Sequence, residues 1–227
     1  MLRRGARNRR KAVSAFSGVI LNTYAYVDGF NLYYRALKRT PHKWLNLDSF
    51  LTTVYPGNRF TLIRYFTAKV KPHPGDPDQR IRQDIYLRAL QTLDNVRIHF
   101  GHFTSHQVNL PLAASKPGKA KFAKVIKSEE KGSDVNLAAH LVNDAHLGVF
   151  DLAIVVTNDS DLVEPIRIVT QQVGLPVGVL NPCDQPAGGL KKAATHYRVL
   201  RKSVLRKSQF SQSLTDNKGS FSKPRTW

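Results

Sequence analysis

The sequence predicts an α/β fold: a mostly parallel five-stranded sheet with helices on both faces. Short apolar strands alternate along the chain with segments of helical periodicity, which favours right-handed βαβ crossovers. The run LAIVV at 152–156 is apolar at every position, as expected of a central strand buried on both faces. With 227 residues, 41% of them hydrophobic, the chain is long enough to bury one sizeable core.

The strands and helices are predicted from hydrophobic periodicity and from residues that interrupt regular structure. Strands are predicted from β-branched and aromatic runs, and helices from apolar residues at helical spacing. The strands lie at 23–28, 59–70, 95–103, 152–157 and 175–181. The helices lie at 29–37, 47–55, 78–93, 133–150, 161–173 and 186–197, with Ser133 as a cap. The segment 105–134 shows no clean period, and it carries six lysines from Lys116 to Lys131.

Charge divides the chain into three predicted parts: a basic N-terminal arm at 1–21, a folded domain at 22–200 and a disordered basic tail at 201–227. The net charge is +19, and residues 1–20 hold six Lys or Arg and no acid. This balance indicates a polyanionic partner, of which nucleic acid is the obvious one. Solubility or acidic lipid would also explain basic ends. The first residues would also suit an organelle transit peptide, or a start of translation near Val19.

Two compositional features limit the function classes. No apolar stretch approaches the length of a membrane span, so no membrane association is expected. Cys183 is the only cysteine, which excludes an intrachain disulfide and a cysteine-based zinc site. A reducing, cytoplasmic location is therefore expected.

Acidic residues follow the predicted strands where each strand ends. Asp28 closes the first strand, and Asp159 and Asp161 follow the fourth. Asp134 begins a helix that should enter the same edge of the sheet, where ligand crevices of open parallel sheets lie. Each acid alone has an ordinary explanation as a turn residue or helix cap. Together they predict a cluster of four carboxylates, provided that the first and fourth strands are neighbours.

Such a cluster is unfavourable without a cation, because like charges raise one another's pKa. Mg²⁺ or Mn²⁺ would relieve the conflict, since both prefer oxygen ligands and commonly share them with substrate phosphates. This chemistry supports metal-assisted hydrolysis of a phosphodiester. Asn31 is expected to position a water or a phosphate oxygen. Further supporting oxygens are expected from Thr157, Asn158 and Glu130.

Three motifs carry a resemblance to a known family: YVDGFNLYY, EKGSDVNLAAHLVNDA and LAIVVTNDSDLVEPIRIV. In this order they resemble the NYN family of PIN-like, metal-dependent ribonucleases, especially its LabA-like members, over about residues 22–200. The resemblance implies a Rossmann-like sheet of strand order 3-2-1-4-5 and endonucleolytic cleavage of RNA. It implies that Asp28, Asp134, Asp159 and Asp161 hold Mg²⁺ or Mn²⁺, with Asn31 assisting. Two positions depart from the family pattern: Asn158 replaces a common glycine, and His140 replaces a common acid.

The lysine-rich segment precedes Asp134 directly, so it is expected to flank the crevice and follow the phosphate backbone of single-stranded or structured RNA. The predicted RNA-binding residues are Lys116, Lys119, Lys121, Lys124, Lys127, Lys131 and Arg35. A homodimer is also expected to be possible.

A catalytically weak nucleic-acid-binding protein of the same fold is the main alternative to the nuclease. An aspartyl-phosphate phosphatase is less favoured, because residue 30 is Phe where that class has a second Asp. A dinucleotide-binding dehydrogenase would need a G-x-G-x-x-G motif after the first strand, and the chain lacks one there.

Overall fold

A computed structural model describes residues 20–72, 75–114, 121–185 and 187–227. Its centre is a parallel six-stranded sheet in the order β3-β2-β1-β6-β7-β8. These strands are β1 (Asn22–Asp28), β2 (Arg59–Thr67), β3 (Val96–Phe100), β6 (Leu152–Val156), β7 (Val177–Asn181) and β8 (His196–Val199). Four further strands lie outside this sheet: β4 (His102–Pro111), β5 (Phe122–Lys131), β9 (Ser213–Asp216) and β10 (Gly219–Ser222).

The helices are α1 (Gly29–Leu32), α2 (Leu47–Val54), α3 (Gln79–Leu90), α4 (Ser133–Leu147), α5 (Val163–Arg167), α6 (Gly188–Ala193) and α7 (Lys202–Lys207). α1 continues into a π-helical segment, Tyr33–Leu37. α5 follows a 3₁₀ turn, Ser160–Leu162, and continues into a π-helical segment, Ile168–Val173. Helix α4 begins after Gly132, whose positive φ of 96° suits glycine, so the prediction that Ser133 is the cap was wrong.

The α/β architecture is confirmed, whereas the predicted strand count and order were wrong. The segment 186–197 was predicted to be one helix, but α6 ends at Ala193 and the chain then adds β8 as a sixth strand. The predicted neighbour relation of β1 and β6 holds, with Thr23 to Val27 paired in parallel with Leu152 to Val156. This pairing brings the carboxyl ends of both strands to one edge.

The core lies on both faces of the sheet because alternate residues of each strand point to opposite sides. Ala25 and Val27 of β1 pack with α2 and α3 on one face, and Tyr26 packs with α4 on the other. Every residue of β6 is buried, as its unbroken apolar sequence predicts. The central strands therefore form a rigid base beneath the acidic edge.

The predicted third strand, 95–103, is divided in two at Gly101. A Cβ at this position would lie 2.5 Å from the Lys131 carbonyl oxygen and 2.9 Å from the Ser133 nitrogen. After Gly101 the chain leaves the central sheet and forms the antiparallel hairpin β4–β5, which the sequence did not predict. Most side chains of β5 are exposed on both faces, which explains why the segment shows no buried period.

The predicted disorder of 201–227 is contradicted by the structure. Helix α7 and the hairpin β9–β10 cover Trp44, which is fully buried. The Trp44 indole donates a hydrogen bond to the Ser211 carbonyl at 2.8 Å, and its ring contacts Phe210 at a centroid distance of 5.6 Å. The segment is mostly polar, which suggested disorder, but a few aromatic contacts fix it to the domain.

A buried polar network joins the sheet to α4. The Arg64 guanidinium donates two hydrogen bonds to the Asp144 carboxylate, at 2.8 and 3.1 Å, and the Tyr26 hydroxyl donates a third at 2.7 Å. Arg64 Nη1 also lies 3.2 Å from His99 Nε2. The ring centroids of His99 and His140 are 4.2 Å apart. Burial and the neighbouring His140 and Arg64 lower the pKa of His99 to about 4.

Within the described ranges, no helix combines the length and apolar character needed to cross a lipid bilayer.

Candidate metal centre

Asp28 is placed by the end of β1 and the start of α1. Its side chain is only 4% exposed. One carboxylate oxygen accepts a hydrogen bond from the Asn31 backbone nitrogen at 2.9 Å, and the other accepts one from the Thr157 hydroxyl at 3.1 Å. The carboxylate therefore caps α1 and at the same time ties β1 to the loop that follows β6.

The loop after β6 is held by a chain of hydrogen bonds. Thr157 Oγ1 accepts a bond from the Asp159 nitrogen at 3.0 Å, and Asp159 Oδ1 accepts one from the Asp161 nitrogen at 3.0 Å. The Asn158 nitrogen donates to Asn31 Oδ1 at 3.0 Å, which joins this loop to α1 from a second side. Asp159 is half-buried and Asp161 is exposed, so both extend towards solvent from a fixed backbone.

Asp134 approaches from the first turn of α4 and is half-buried. Burial raises its pKa, and the charges of Asp159, Glu130 and Asp161 raise it further. Burial likewise raises the pKa of Asp28 to about 7, with additional repulsion from Asp134 and Asp159 that two hydrogen bonds only partly offset. The acids of three separate chain segments therefore interact electrostatically at one edge of the sheet.

Their surroundings suit a hard cation in donor type. Among the described residues, none of the four aspartates forms an ion pair with Lys, Arg or His. Asn158 precedes Asp159 in the chain, and its Oδ1 is buried with no hydrogen-bond partner among the described residues, while its Nδ2 donates to Cys183 Sγ. Carboxylate and amide oxygens are the ligands that Mg²⁺ and Mn²⁺ prefer.

The predicted cluster is looser than a closed ligand cage. Across the described part of the chain, no three Asp, Glu, His or Cys side chains lie close enough together to hold a metal ion. The acids lie at one edge of the sheet and repel one another. Their side chains would have to rotate before their oxygens could bind one ion. Asp134 has room for this because it is partly exposed, whereas Asp159 would give up the hydrogen bond from the Asp161 nitrogen.

The supporting role predicted for Glu130 stays a prediction. Its carboxylate accepts hydrogen bonds from the Ser133 nitrogen at 3.1 Å and the Ser133 hydroxyl at 2.7 Å, and so caps α4. Its neighbour Glu129 pairs with Lys127 and Lys131. Both glutamates thus have partners close by in the chain, and the charge of Glu130 also acts on Asp134.

The predicted RNA-binding residues are largely on this hairpin. Lys121 precedes β5, and Lys124, Lys127 and Lys131 lie along it, all exposed. Arg35 is exposed on the π-helical segment after α1, whereas Lys116 and Lys119 lie outside the described residues. Phe103 of the hairpin contacts Phe30 of α1 at a centroid distance of 5.8 Å, so the base of the hairpin borders the carboxylate edge.

An aromatic pocket on the other side of α1 was not predicted from the sequence. It contains about 650 Å³ of empty space, part of it open to solvent, and Gly29, Tyr65 and Thr67 bring it to the carboxyl edge of β1 and β2. Other aromatic walls are Phe30, Tyr33, Tyr34, Tyr86 and Trp227. Nothing in the sequence near Trp227 indicates its contact with Tyr86, at a centroid distance of 5.7 Å.

Comparison with known proteins yields one family match. The model of the NYN domain matches residues 22–201. A relative from Pseudomonas putida (strain DSM 28022 / S16), named 6-hydroxy-3-succinoylpyridine 3-monooxygenase HspA, is 30% identical over 186 residues, covering 71% of this chain and 60% of that protein. The chain thus spans about three fifths of the length of this relative.

Among solved structures, the chain is similar to a protein of unknown function, VPA0982, from Vibrio parahaemolyticus RIMD 2210633. The TM-score is 0.49 and the identity 17%, over 82% of this chain and 96% of that one.

Proposed function

This chain belongs to the NYN domain family, and from that membership we propose that it is a Mg²⁺- or Mn²⁺-dependent endoribonuclease. One observation carries the proposal: the buried Asp28 carboxylate lies at the carboxyl edge of the sheet, is repelled by Asp134 and Asp159, and has no cationic partner among the described residues. A carboxylate in this setting is costly to ionise unless a cation shares it. Its position in the crevice of an open parallel sheet favours a functional role over a structural one.

In this proposal Asp28, Asp134, Asp159 and Asp161 hold the ion. A bound Mg²⁺ or Mn²⁺ would lower the pKa of a water molecule and neutralise charge on the scissile phosphate. The protein residues around it have separate tasks. Thr157 keeps Asp28 and the loop after β6 together through its two hydrogen bonds, and Asn31 holds the same loop through the Asn158 nitrogen.

RNA would approach along the β4–β5 hairpin. Its exposed lysines offer positive charge beside the acidic edge, and attraction of this kind weakens as salt concentration rises. Arg35 extends the basic surface along the other border of the edge. These side chains would hold the phosphate backbone without reading sequence.

The test compares cleavage and binding of a labelled single-stranded RNA in Mn²⁺. Asp159→Asn should lose cleavage while binding changes little, because the lysines that hold phosphate are intact. Asp94→Asn, which alters an exposed acid remote from the edge, should keep both. If the wild-type protein binds RNA but never cleaves it in Mn²⁺ or Mg²⁺, the protein is a binding module and the nuclease proposal fails.

A second candidate is oxygenation of a small heteroaromatic acid, as the name of the Pseudomonas putida relative states for that protein. The aromatic pocket beside Asp28 favours it, since a pyridine ring would fit such walls. Dioxygen uptake with 6-hydroxy-3-succinoylpyridine, in the presence of reduced nicotinamide or flavin as electron donor, would support this activity. Absence of uptake in each combination would remove it.

A further inference from the structure

The aromatic pocket is a partly open cleft with the wall chemistry of a ligand site. Its cavity volume is about 80 Å³, and the wider space of about 650 Å³ around it includes open solvent, so a bound ring would lie partly outside the enclosed cavity. Tyr65 and Tyr86 meet edge to face at 6.3 Å, Trp227 lies against Tyr86, and Phe30 stacks on Tyr34 at 6.4 Å. Flat walls of this kind select a planar ring.

One polar group in the wall has no partner. Tyr65 is 7% exposed, and its hydroxyl forms no hydrogen bond with any described residue. The hydroxyl reaches the start of α1, 2.7 Å from where a Cβ on Gly29 would stand, so only glycine fits there. A hydroxyl in a pocket wall that is not bonded to another described residue can form a hydrogen bond with a ligand.

The rim of the pocket is cationic. Lys43 and Arg82 line it, and burial lowers the pKa of Lys43, with further repulsion from Lys223 and Arg82. The positive charges of Lys43 and Arg82 repel each other, although Asp76 forms an ion pair with Arg82. An anionic group attached to the ring would relieve this repulsion.

We propose that the pocket binds a planar heteroaromatic ring attached to an anionic group, as found in an unpaired nucleotide next to the cleavage site. The ring lies against Phe30, Tyr34 and Trp227, the Tyr65 hydroxyl bonds one of its polar atoms, and the phosphate faces Lys43. The assignment to a nucleotide of RNA rests on the proposed ribonuclease function. A free pyridine carboxylic acid shares the same chemistry and is the other source.

Binding is measured without divalent metal, in EDTA, so that the result is independent of any cleavage. The probes are adenosine and uridine 5′-monophosphates, 6-hydroxynicotinic acid, and ribose 5-phosphate, which lacks the ring. The readout is calorimetry together with quenching of tryptophan fluorescence. The chain has two tryptophans, and Trp227→Phe should remove the quenching because Trp44 is fully buried elsewhere.

Two variants test the walls. Tyr65→Phe removes only the hydroxyl and should weaken binding roughly five- to tenfold, the loss expected for one hydrogen bond. Tyr34→Ala removes an exposed stacking ring and should weaken binding roughly tenfold. Tyr55→Phe is the matched control: it removes a tyrosine hydroxyl that is buried without a partner among the described residues, but Tyr55 does not line the pocket, so binding should stay unchanged.

Tight binding of a nucleotide, lost in Tyr65→Phe and kept in Tyr55→Phe, supports the pocket as a nucleotide site. Binding of 6-hydroxynicotinic acid alone, with the same pattern of variants, supports the pocket but assigns it to a small aromatic acid. The proposal is overturned if neither ring compound binds, if ribose 5-phosphate binds equally well, or if Tyr55→Phe reduces binding as much as Tyr65→Phe. A protein that binds nucleotides here but cleaves no RNA would refute the proposed function and leave the pocket standing.

Discussion

Replacing Asp28 with asparagine should stabilise the metal-free protein at alkaline pH. Burial raises the pKa of Asp28 from 3.8 to about 7, so the folded state binds a proton that the unfolded state releases above pH 4. Stability contributed by this proton is full below pH 4, falls as pH rises and is lost above pH 7. A difference of about three pKa units corresponds to about 4 kcal/mol.

The asparagine introduced by Asp28→Asn would be neutral at every pH and nearly isosteric. Its side-chain oxygen can still accept from the Asn31 nitrogen, and its amide can donate to Thr157 Oγ1, so most of the hydrogen bonding survives. At pH 8 the variant should therefore exceed the wild type in free energy of unfolding by about 2–4 kcal/mol, the lower figure allowing for imperfect pairing. Below pH 4 the difference should shrink to less than about 1 kcal/mol.

The assay is urea denaturation in EDTA at pH 4, 6 and 8, followed by circular dichroism, with Asp94→Asn as the exposed control. Adding Mn²⁺ should reverse the order at pH 8, because only the wild type offers the full carboxylate set. A gain that is equal at pH 4 and pH 8, or no gain at pH 8, would refute the reasoning. Either result would mean that burial does not raise the pKa of Asp28 as far as this reasoning requires.

Three further outcomes are expected from equilibrium unfolding and thermal melts. Mn²⁺ at a hundredfold excess over its Kd should stabilise the wild type by about 2.7 kcal/mol and Asp159→Asn by much less; equal stabilisation would place the ion elsewhere. Asp144→Asn should lower the free energy of unfolding by about 3–5 kcal/mol, because the mostly buried Arg64 loses its counter-charge, whereas Asp84→Asn, in an exposed pair, should change it little. Phe210→Ala should cost about 3–5 kcal/mol, and a negligible change would contradict the folded C-terminal segment.

Local sequence was sufficient where one physical signal dominated. The apolar run of β6 can only be buried on both faces, and this identified it as a central strand. Asp28 before Gly29 marks the end of a strand and the start of a helix, and the structure has that cap. The acidic edge followed from these strand ends once the two strands are neighbours, and the structure pairs them.

Long-range contacts decided what the sequence left open. The β4–β5 hairpin is exposed on both faces, so it has no buried period to detect, and only cross-strand pairing reveals it. The C-terminal segment looked disordered by composition, yet Ser211 in it is held by Trp44, 167 residues away in the chain. Periodicity cannot detect sparse anchors of this kind because their partners lie elsewhere in the sequence.

The sequence by itself determined that acids stand where strands end and helices begin, because strand ends and helix starts are set by residues close together in the chain, whereas the pairing of β1 with β6 came from the structure. The tertiary structure alone decided what those acids and their neighbours can do. In the folded chain the Glu130 carboxylate accepts hydrogen bonds from Ser133. Asn158 Oδ1 has no partner among the described residues. The aromatic pocket is formed by α1, β2, α3 and Trp227. Pairing and burial depend on which surfaces meet in the folded chain, and no local pattern specifies that.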